Sequence, residues 1–197
     1  MRRRTFDFLA SWVGVFLAVV LAVAGGLLMY AHSFVSDQVK TELSAQKIVF
    51  PAAGSDSLKT LPPADAAAMA KFAGQPLTTG DEAKTWANSY INVHLGKIGG
   101  GLTYSELSAK AMADPTNTQL AGQVDTVFRG ETLRGLLLNA YAFWQMGQIA
   151  LIAGIAALVS AVIMLTMSIL GFVHLRKTPA EKELLTERHA ALEPALA

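Results

Sequence analysis

Two long apolar stretches dominate the pattern of polar and apolar positions along the chain. Between Phe8 and Ser36 no side chain is charged, and residues 8–31 are almost entirely apolar. Residues 135–173 are again uncharged, and 149–173 consist of Ile, Leu, Val, Ala and Met with a few Gly, Ser and Thr. A hydrocarbon core of ~30 Å takes about 20 helical residues to cross. Both stretches therefore predict transmembrane helices, over 8–31 and 149–173.

The segment between them carries shorter periods. Residues 33–45 contain no breaker and bear Phe34, Val35, Val39 and Leu43, so the first helix is predicted to run on past the span. Residues 47–51 read as a short extended run closed by Pro51, and 52–59, small and polar, as a loop. Pro62-Pro63 opens a helix through residue 73, with Gly74 placed to end it. A helix over 81–95 follows and sets Trp86, Tyr90 and His94 at four-residue spacing before Gly99-Gly100-Gly101 breaks it. Thr103 and Glu106 match a capping box at the start of a helix to residue 113. Asp114-Pro115 supplies a cap and a first-position proline for the next helix, whose Leu120, Val124, Val127 and Phe128 form an apolar face. From Glu131 to Val173 nothing interrupts the pattern, and at about 1.5 Å per residue this stretch makes a rod of roughly 65 Å. No run of alternating β-branched residues occurs. The predicted fold is an all-α membrane protein, with two transmembrane helices flanking an extracytoplasmic helical domain at 32–148.

Composition follows from the spans: 52% of the residues are hydrophobic and 16% charged, below the ~25% charged of ordinary soluble chains. The formal net charge of +1 argues against nucleic acid as a partner. The placement of the basic residues says more than their number. Arg2, Arg3 and Arg4 precede the first span, and Arg176 and Lys177 follow the second. The positive-inside rule then makes 1–7 and 174–197 cytoplasmic and 32–148 extracytoplasmic in a cell membrane. The tail after Val173 mixes four basic with four acidic residues and reads as a solvated helical stub. Arg3-Arg4-Thr5-Phe6 also resembles the opening of a twin-arginine signal, with Ala31-His32-Ser33 as a cleavage site. Signal cores span ~7–15 residues, and the longer run here predicts an uncleaved anchor.

The first span places Ala10, Gly14, Ala18, Ala22 and Gly26 at every fourth position. Such a stripe lets another helix approach closely, whether the second span, a second copy or a different protein. The second span offers Ala150 with Gly154, and Ala153, Ala157 and Ala161. No acidic or basic residue lies inside either span, which removes the usual mark of pumps, transporters and channels. Tyr141, Phe143 and Trp144 fall where the second span leaves the membrane and predict interface anchoring or a lipid contact. Trp12 and Tyr30 would mark the two ends of the first span.

Candidate chemistry is sparse. Cysteine is absent, so thiol catalysis, disulfides and thiolate metal sites are excluded. The four histidines are His32, His94, His174 and His189, with no H-x-x-x-H or H-x-E spacing among them. His32 and His174 belong to opposite membrane faces. His94, with Trp86 and Tyr90, could line a pocket; the plainer expectation is a partly buried structural histidine. No G-x-S-x-G elbow and no phosphate-binding loop occurs. No catalytic residue, metal site or cofactor is expected.

The stretch from Leu77 to Ile152 carries a resemblance. Leu77-Thr78-Thr79-Gly80-Asp81, Val93-His94-Leu95, Gly100-Gly101-Leu102-Thr103-Tyr104 and the run from Gly130 to Tyr141 resemble a family of actinobacterial two-span membrane proteins. Members are often labelled aromatic-ring-opening dioxygenases, an activity that requires an iron site built from histidines and a carboxylate. In size and topology the chain more loosely resembles the accessory factors of actinobacterial respiratory supercomplexes. That resemblance implies a non-catalytic accessory subunit whose partners are membrane lipids and other integral membrane subunits, among them oxidase or cytochrome bc subunits. The rival expectation is an extracytoplasmic ligand-binding or sensor module, and an enzyme stands third.

Overall fold

The computed structural model describes residues 3–177. Arg2, His189 and the helical stub expected beyond residue 177 lie outside them. Among the described residues every regular element is helical: α1 (Arg3–Ala45), α2 (Asp56–Lys59), α3 (Pro63–Ala70), α4 (Gly80–Thr85), a π-helical segment (Trp86–Ile91), α5 (Asn92–Ile98), α6 (Tyr104–Ala113) and α7 (Thr118–Lys177). The helices α1 and α7 are long and apolar enough to cross a membrane. The chain divides into two compact units, one made of the residues up to Ala31 and from Ala150 onward, the other of His32–Ile149.

The His32–Ile149 unit is built around Phe50. Its core gathers Val39 and Leu43 from α1, Leu58, Leu61, Met69 and Leu77 from the connecting segments and α3, Ala83 to Leu95 from the helices that follow, and Leu137 from α7. The extended run is held by an isolated antiparallel bridge between Val49 and Pro76. Around it Phe50 N–H donates to Gln75 O (2.9 Å), Leu77 N–H to Ile48 O (2.9 Å) and Gly74 N–H to Phe50 O (3.2 Å). Gly74, at φ 72°, makes the last of these reachable by turning the chain through the left-handed region.

Several boundaries differ from the sequence pattern, each for a local reason. The polar run 52–59 is not all loop. Leu58 is buried in it, and Asp56–Lys59 closes one helical turn around that anchor. The helix opened by Pro63 stops at Ala70 rather than 73, because Phe72 and Ala73 donate to the carbonyls three residues back and tighten into turns. Asp114-Pro115 does not start the next helix. Asp114 instead holds a turn by accepting from Thr116 Oγ1 (3.1 Å) and Asn117 Nδ2 (3.2 Å), and Asn117 Oδ1 caps α7 by accepting from Leu120 N–H (3.0 Å). Gly130 does not interrupt α7. A Cβ there would strike the side chain of Leu95, so the glycine serves close packing of α5 on α7.

The Thr103–Glu106 capping box forms as the pattern predicts: Thr103 N–H and Oγ1 both donate to Glu106 Oε2 (2.8 Å each), and Glu106 N–H donates to Thr103 Oγ1 (3.3 Å). The backbone and side-chain bonds from Thr103 hold the Glu106 carboxyl below its ordinary value, with a smaller contribution from Lys110. A lowered folded-state value means this stabilisation is complete above the ordinary glutamate range near pH ~4.3 and is lost as pH falls through the lower folded value. In an NMR titration Thr103→Ala should move the Glu106 midpoint back towards the ordinary range. The backbone N–H of residue 103 is kept in this variant, so an unmoved midpoint would refute the share assigned to the Thr103 hydroxyl.

Candidate functional site

Two arrangements concentrate what the chain offers for recognition: the paired helices of the terminal unit and an aromatic ladder in the His32–Ile149 unit.

In the terminal unit α1 and α7 pack antiparallel through small residues. The buried positions on α1 are Ser11, Gly14, Ala18 and Gly25, and on α7 Gly154, Ala161 and Ser168. Ser11, Ala18 and Gly25 recur every seventh position, as do Gly154, Ala161 and Ser168. A seven-residue step drifts only ~20° around a helix, so each row stays on one face. Contact is close. A Cβ on Gly25 would lie 2.7 Å from Leu158 Cγ and 3.1 Å from Gly154 O, and one on Gly154 would lie 3.2 Å from Leu28 Cβ. Gly14 faces Ser168 and Gly171 faces Ser11.

The four-residue stripe read from the sequence therefore does not act as a single face. Four residues turn a helix by about 400°, so successive members rotate by ~40° and leave the contact. Gly14 and Ala18 lie in it; Ala10, Ala22 and Gly26 are exposed, and nothing stands within 4 Å of where a Gly26 Cβ would be. On the second helix Gly154 and Ala161 are buried, and Ala153 is exposed. The large side chains point the other way: Phe16, Val23, Leu27, Val162 and Ile169 are all exposed. Small residues inside and large apolar residues outside invert the arrangement of a water-soluble helix pair. Helices surrounded by lipid have this arrangement, since lipid removes the drive to bury Leu or Phe and leaves close approach as the source of attraction.

The aromatic ladder runs Phe72–Phe50–Trp86–Tyr90–His94. Ring centroids are 5.3, 5.2, 4.6 and 4.4 Å apart in that order, with Phe50 edge-on to Trp86 at 88°. The structure thus brings Trp86, Tyr90 and His94 together, as their spacing suggests. The 81–95 helix is not uniformly α, however. Asn92 N–H reaches Ala87 O, five residues back, and Trp86–Ile91 is a π turn. The wider turn reduces the drift of a four-residue repeat and lets the rings stack. His94 Nδ1 lies 2.7 Å from Tyr90 O. A carbonyl can only accept, so Nδ1 carries a proton in this contact. Trp86, Tyr90 and His94 line neither of two neighbouring cavities, one of about 370 Å³ lined by Lys71, Phe72, Asp81 and Asn88 and one of about 250 Å³ lined by Asn92, Thr103, Val127 and Glu131.

Sequence and structure comparisons find no matching family model, curated protein or solved structure.

The aromatic cluster on α7 is divided rather than shared. Tyr141 and Trp144 stack at 6.5 Å and are half-buried against α4. Lys84 Nζ donates to Tyr141 Oη (3.2 Å) and lies 4.5 Å from the Tyr141 ring centre. A Cβ on Gly80 would come 2.7 Å from Trp144 Cγ, so that glycine admits the indole to the start of α4. Only Phe143 of the three is exposed, at 59%. Tyr141 and Trp144 thus pack on α4 with part of their surface still exposed, while Phe143 faces outward. Trp12 and Tyr30 are exposed, with Trp12 edge-on to Phe172 at 5.8 Å. Among the described residues no group of three His, Asp or Glu could hold a metal ion.

The polar contact His32–Gly147 lay outside the pattern reasoning. His32 Nδ1 donates to Gly147 O at 2.9 Å, and Gly147 packs on Val35. Its signal was a glycine seven residues before Gly154, in step with the small-residue row of α7.

Proposed function

We propose that the chain is a two-span membrane protein with residues 1–7 and 174–197 cytoplasmic and 32–148 extracytoplasmic, acting as a non-catalytic accessory subunit of a larger membrane complex. The observation that carries this reading is the division of small residues on α1. Ser11, Gly14, Ala18 and Gly25 are taken up by α7, while Ala22 and Gly26 face outward with open space beside Gly26. A second smooth face on an already paired helix suits a further helix from another subunit. The respiratory assignment, with oxidase and cytochrome bc subunits as partners, rests on the resemblance to supercomplex factors. Kinship with the actinobacterial two-span family belongs to the same proposal.

Mild-detergent pull-down of a tagged copy from native membranes, followed by protein identification, tests the association. Recovery of oxidase and cytochrome bc subunits supports the respiratory complex, and other integral membrane subunits would support association alone. Topology is tested separately. An impermeant thiol reagent should label Asp56→Cys but not Thr5→Cys in intact cells, the chain having no cysteine of its own. Equal labelling would sink the orientation. The ladder supports a second reading, an extracytoplasmic ligand-binding or sensor module, because π turns recur at functional sites and Trp86, Tyr90 and His94 stack on one. A monodisperse chain without partners, stabilised by a small ligand, would favour it.

A further inference from the structure

The His32–Ile149 unit carries a groove of about 390 Å³ between α1 and α7, lined by Phe34, Val35, Val39 and Leu43 of α1 and by Ala140 and Phe143 of α7. That volume lies within the ~300–1,000 Å³ of small-molecule sites. Val39 and Leu43 belong to the buried core beneath it, whereas Phe34 and Phe143, each 59% exposed, stand at its rim. From Phe34 to Leu43 the lining follows α1 for roughly 14 Å. Gln38 and Glu42 also line the groove, yet no polar atom faces into it. Their polar ends are tied to each other, Gln38 Nε2 donating to Glu42 Oε1 at 3.0 Å, and both residues are exposed. Only their methylene stems reach the groove, whose surface is carbon throughout.

That surface narrows the occupant. An extended peptide or loop would bring N–H and C=O groups that nothing in the groove can satisfy, each costly to bury. A helix laid across from another subunit would have to cover the exposed Gln38–Glu42 pair. A single hydrocarbon chain has no polar group to satisfy and leaves that pair in water. The surface that leads to the groove identifies where such a chain would come from. Val23, Leu27, Tyr30 and Phe34 are all exposed and follow one another at steps of four, three and four residues. This spacing keeps to one helix face. The outward apolar face of the first span therefore runs along the uninterrupted α1 to Phe34 at the rim of the groove. The first charged residue beyond the span, Asp37, comes only after it.

We propose that this groove binds one acyl tail of a phospholipid from the adjoining leaflet, drawn along α1 from Phe34 towards Leu43. The assignment rests on the two-span membrane reading and not on any protein partner. The test uses the full chain in phosphatidylcholine vesicles with a trace of phosphatidylcholine carrying a diazirine at the end of one acyl tail. After irradiation, adducts are mapped by peptide mass spectrometry. The tail end of an ordinary bilayer lipid lies near the midplane, so adducts within 34–43 or 140–143 report a tail drawn out of it. Such adducts are expected beside those in 8–31 and 149–173. Ala140→Leu, which fills the groove, should cut the groove adducts at least fivefold and leave those in the spans unchanged. Should Ala140→Leu lose its near-UV circular dichroism, Phe34→Ala decides instead. It removes one wall at an exposed position and should lower the groove adducts severalfold. Groove adducts undiminished in a folded variant would mark incidental contact with surrounding lipid and overturn the site. Spans labelled without any groove adducts would overturn it too, leaving the groove to a protein occupant. Alkaline extraction separates the two claims: a chain released into the soluble fraction refutes the membrane reading, whereas a retained chain without groove adducts refutes only the tail site.

Discussion

Phe50→Ala should unfold most of the His32–Ile149 unit. Phe50 is 2% exposed and packs on Phe72 at 5.3 Å and Trp86 at 5.2 Å. Both of its backbone polar groups are also engaged, with Gln75 and Gly74. Truncating a buried phenylalanine costs about 3–5 kcal/mol, a large share of the ~5–15 kcal/mol that holds a typical domain folded. The loss falls where the ladder joins the extended run, so removing the ring frees Trp86 and Phe72 together. The measurement is tryptophan fluorescence and near-UV circular dichroism through a urea titration, where the midpoint should drop steeply or the folded baseline vanish. Phe143→Ala is the matched control. With Phe143 exposed at 59%, its truncation should stay within about 0.5 kcal/mol. Similar midpoints for the two variants would show that Phe50 is not the centre of the unit.

The long helices and the helical class were legible because they rest on strong, redundant signals: two uncharged stretches, a capping box at Thr103, and a proline and a glycine flanking α3. The remainder depended on contacts that no local pattern encodes. Thr79-Gly80-Asp81-Glu82 has the same T-x-x-E form as the Thr103 box, and Glu82, buried, accepts from Thr78 N–H (2.6 Å) and Thr79 N–H (2.7 Å). That signal was present and places the start of α4 at Gly80. The π turn had no such signal. It inserts one residue per turn so that Trp86, Tyr90 and His94 can stack, a tertiary demand on a segment whose own sequence would accept an α-helix. Leu58 turned a polar loop into a helical turn for the same reason: one buried side chain outweighed seven residues of loop-like composition. Position alone suggests Tyr141 and Trp144 as interface anchors, and no local pattern encodes their contacts with Gly80 and Lys84 of α4. For the candidate site, period decided the outcome. A repeat of four is conspicuous in a sequence, yet a helix of 3.6 residues per turn carries it off any single face within a few steps. The repeat of seven that stays on the face was hidden because its members, Ser, Ala and Gly, differ in type.

Neighbouring glycines in α1 should then respond in opposite ways to the same substitution. Gly25→Leu should separate α1 from α7, because its Cβ alone would lie 2.7 Å from Leu158 Cγ and 3.1 Å from the Gly154 carbonyl. A backbone oxygen cannot yield as a side chain can, and overpacking of this kind costs roughly 1–3 kcal/mol or more. Gly26→Leu adds the same side chain one position on, where nothing stands within 4 Å, and should leave the pair intact. The cysteine-free background supplies a direct readout. A Cβ on Gly171 lies 3.5 Å from Ser11 Cβ, within the range of ~3.5–4.5 Å that a disulfide spans. Ser11→Cys with Gly171→Cys should cross-link on mild oxidation and shift mobility after proteolysis between the helices. Adding Gly25→Leu should reduce that cross-link strongly, and adding Gly26→Leu should not. The two variants then separate internal pairing from association. If the outward face of Ala22 and Gly26 receives another subunit, Gly26→Leu should lose the co-purifying partners while keeping the cross-link. Loss of the cross-link in both variants, or in neither, would refute the assignment of the two glycines to different faces.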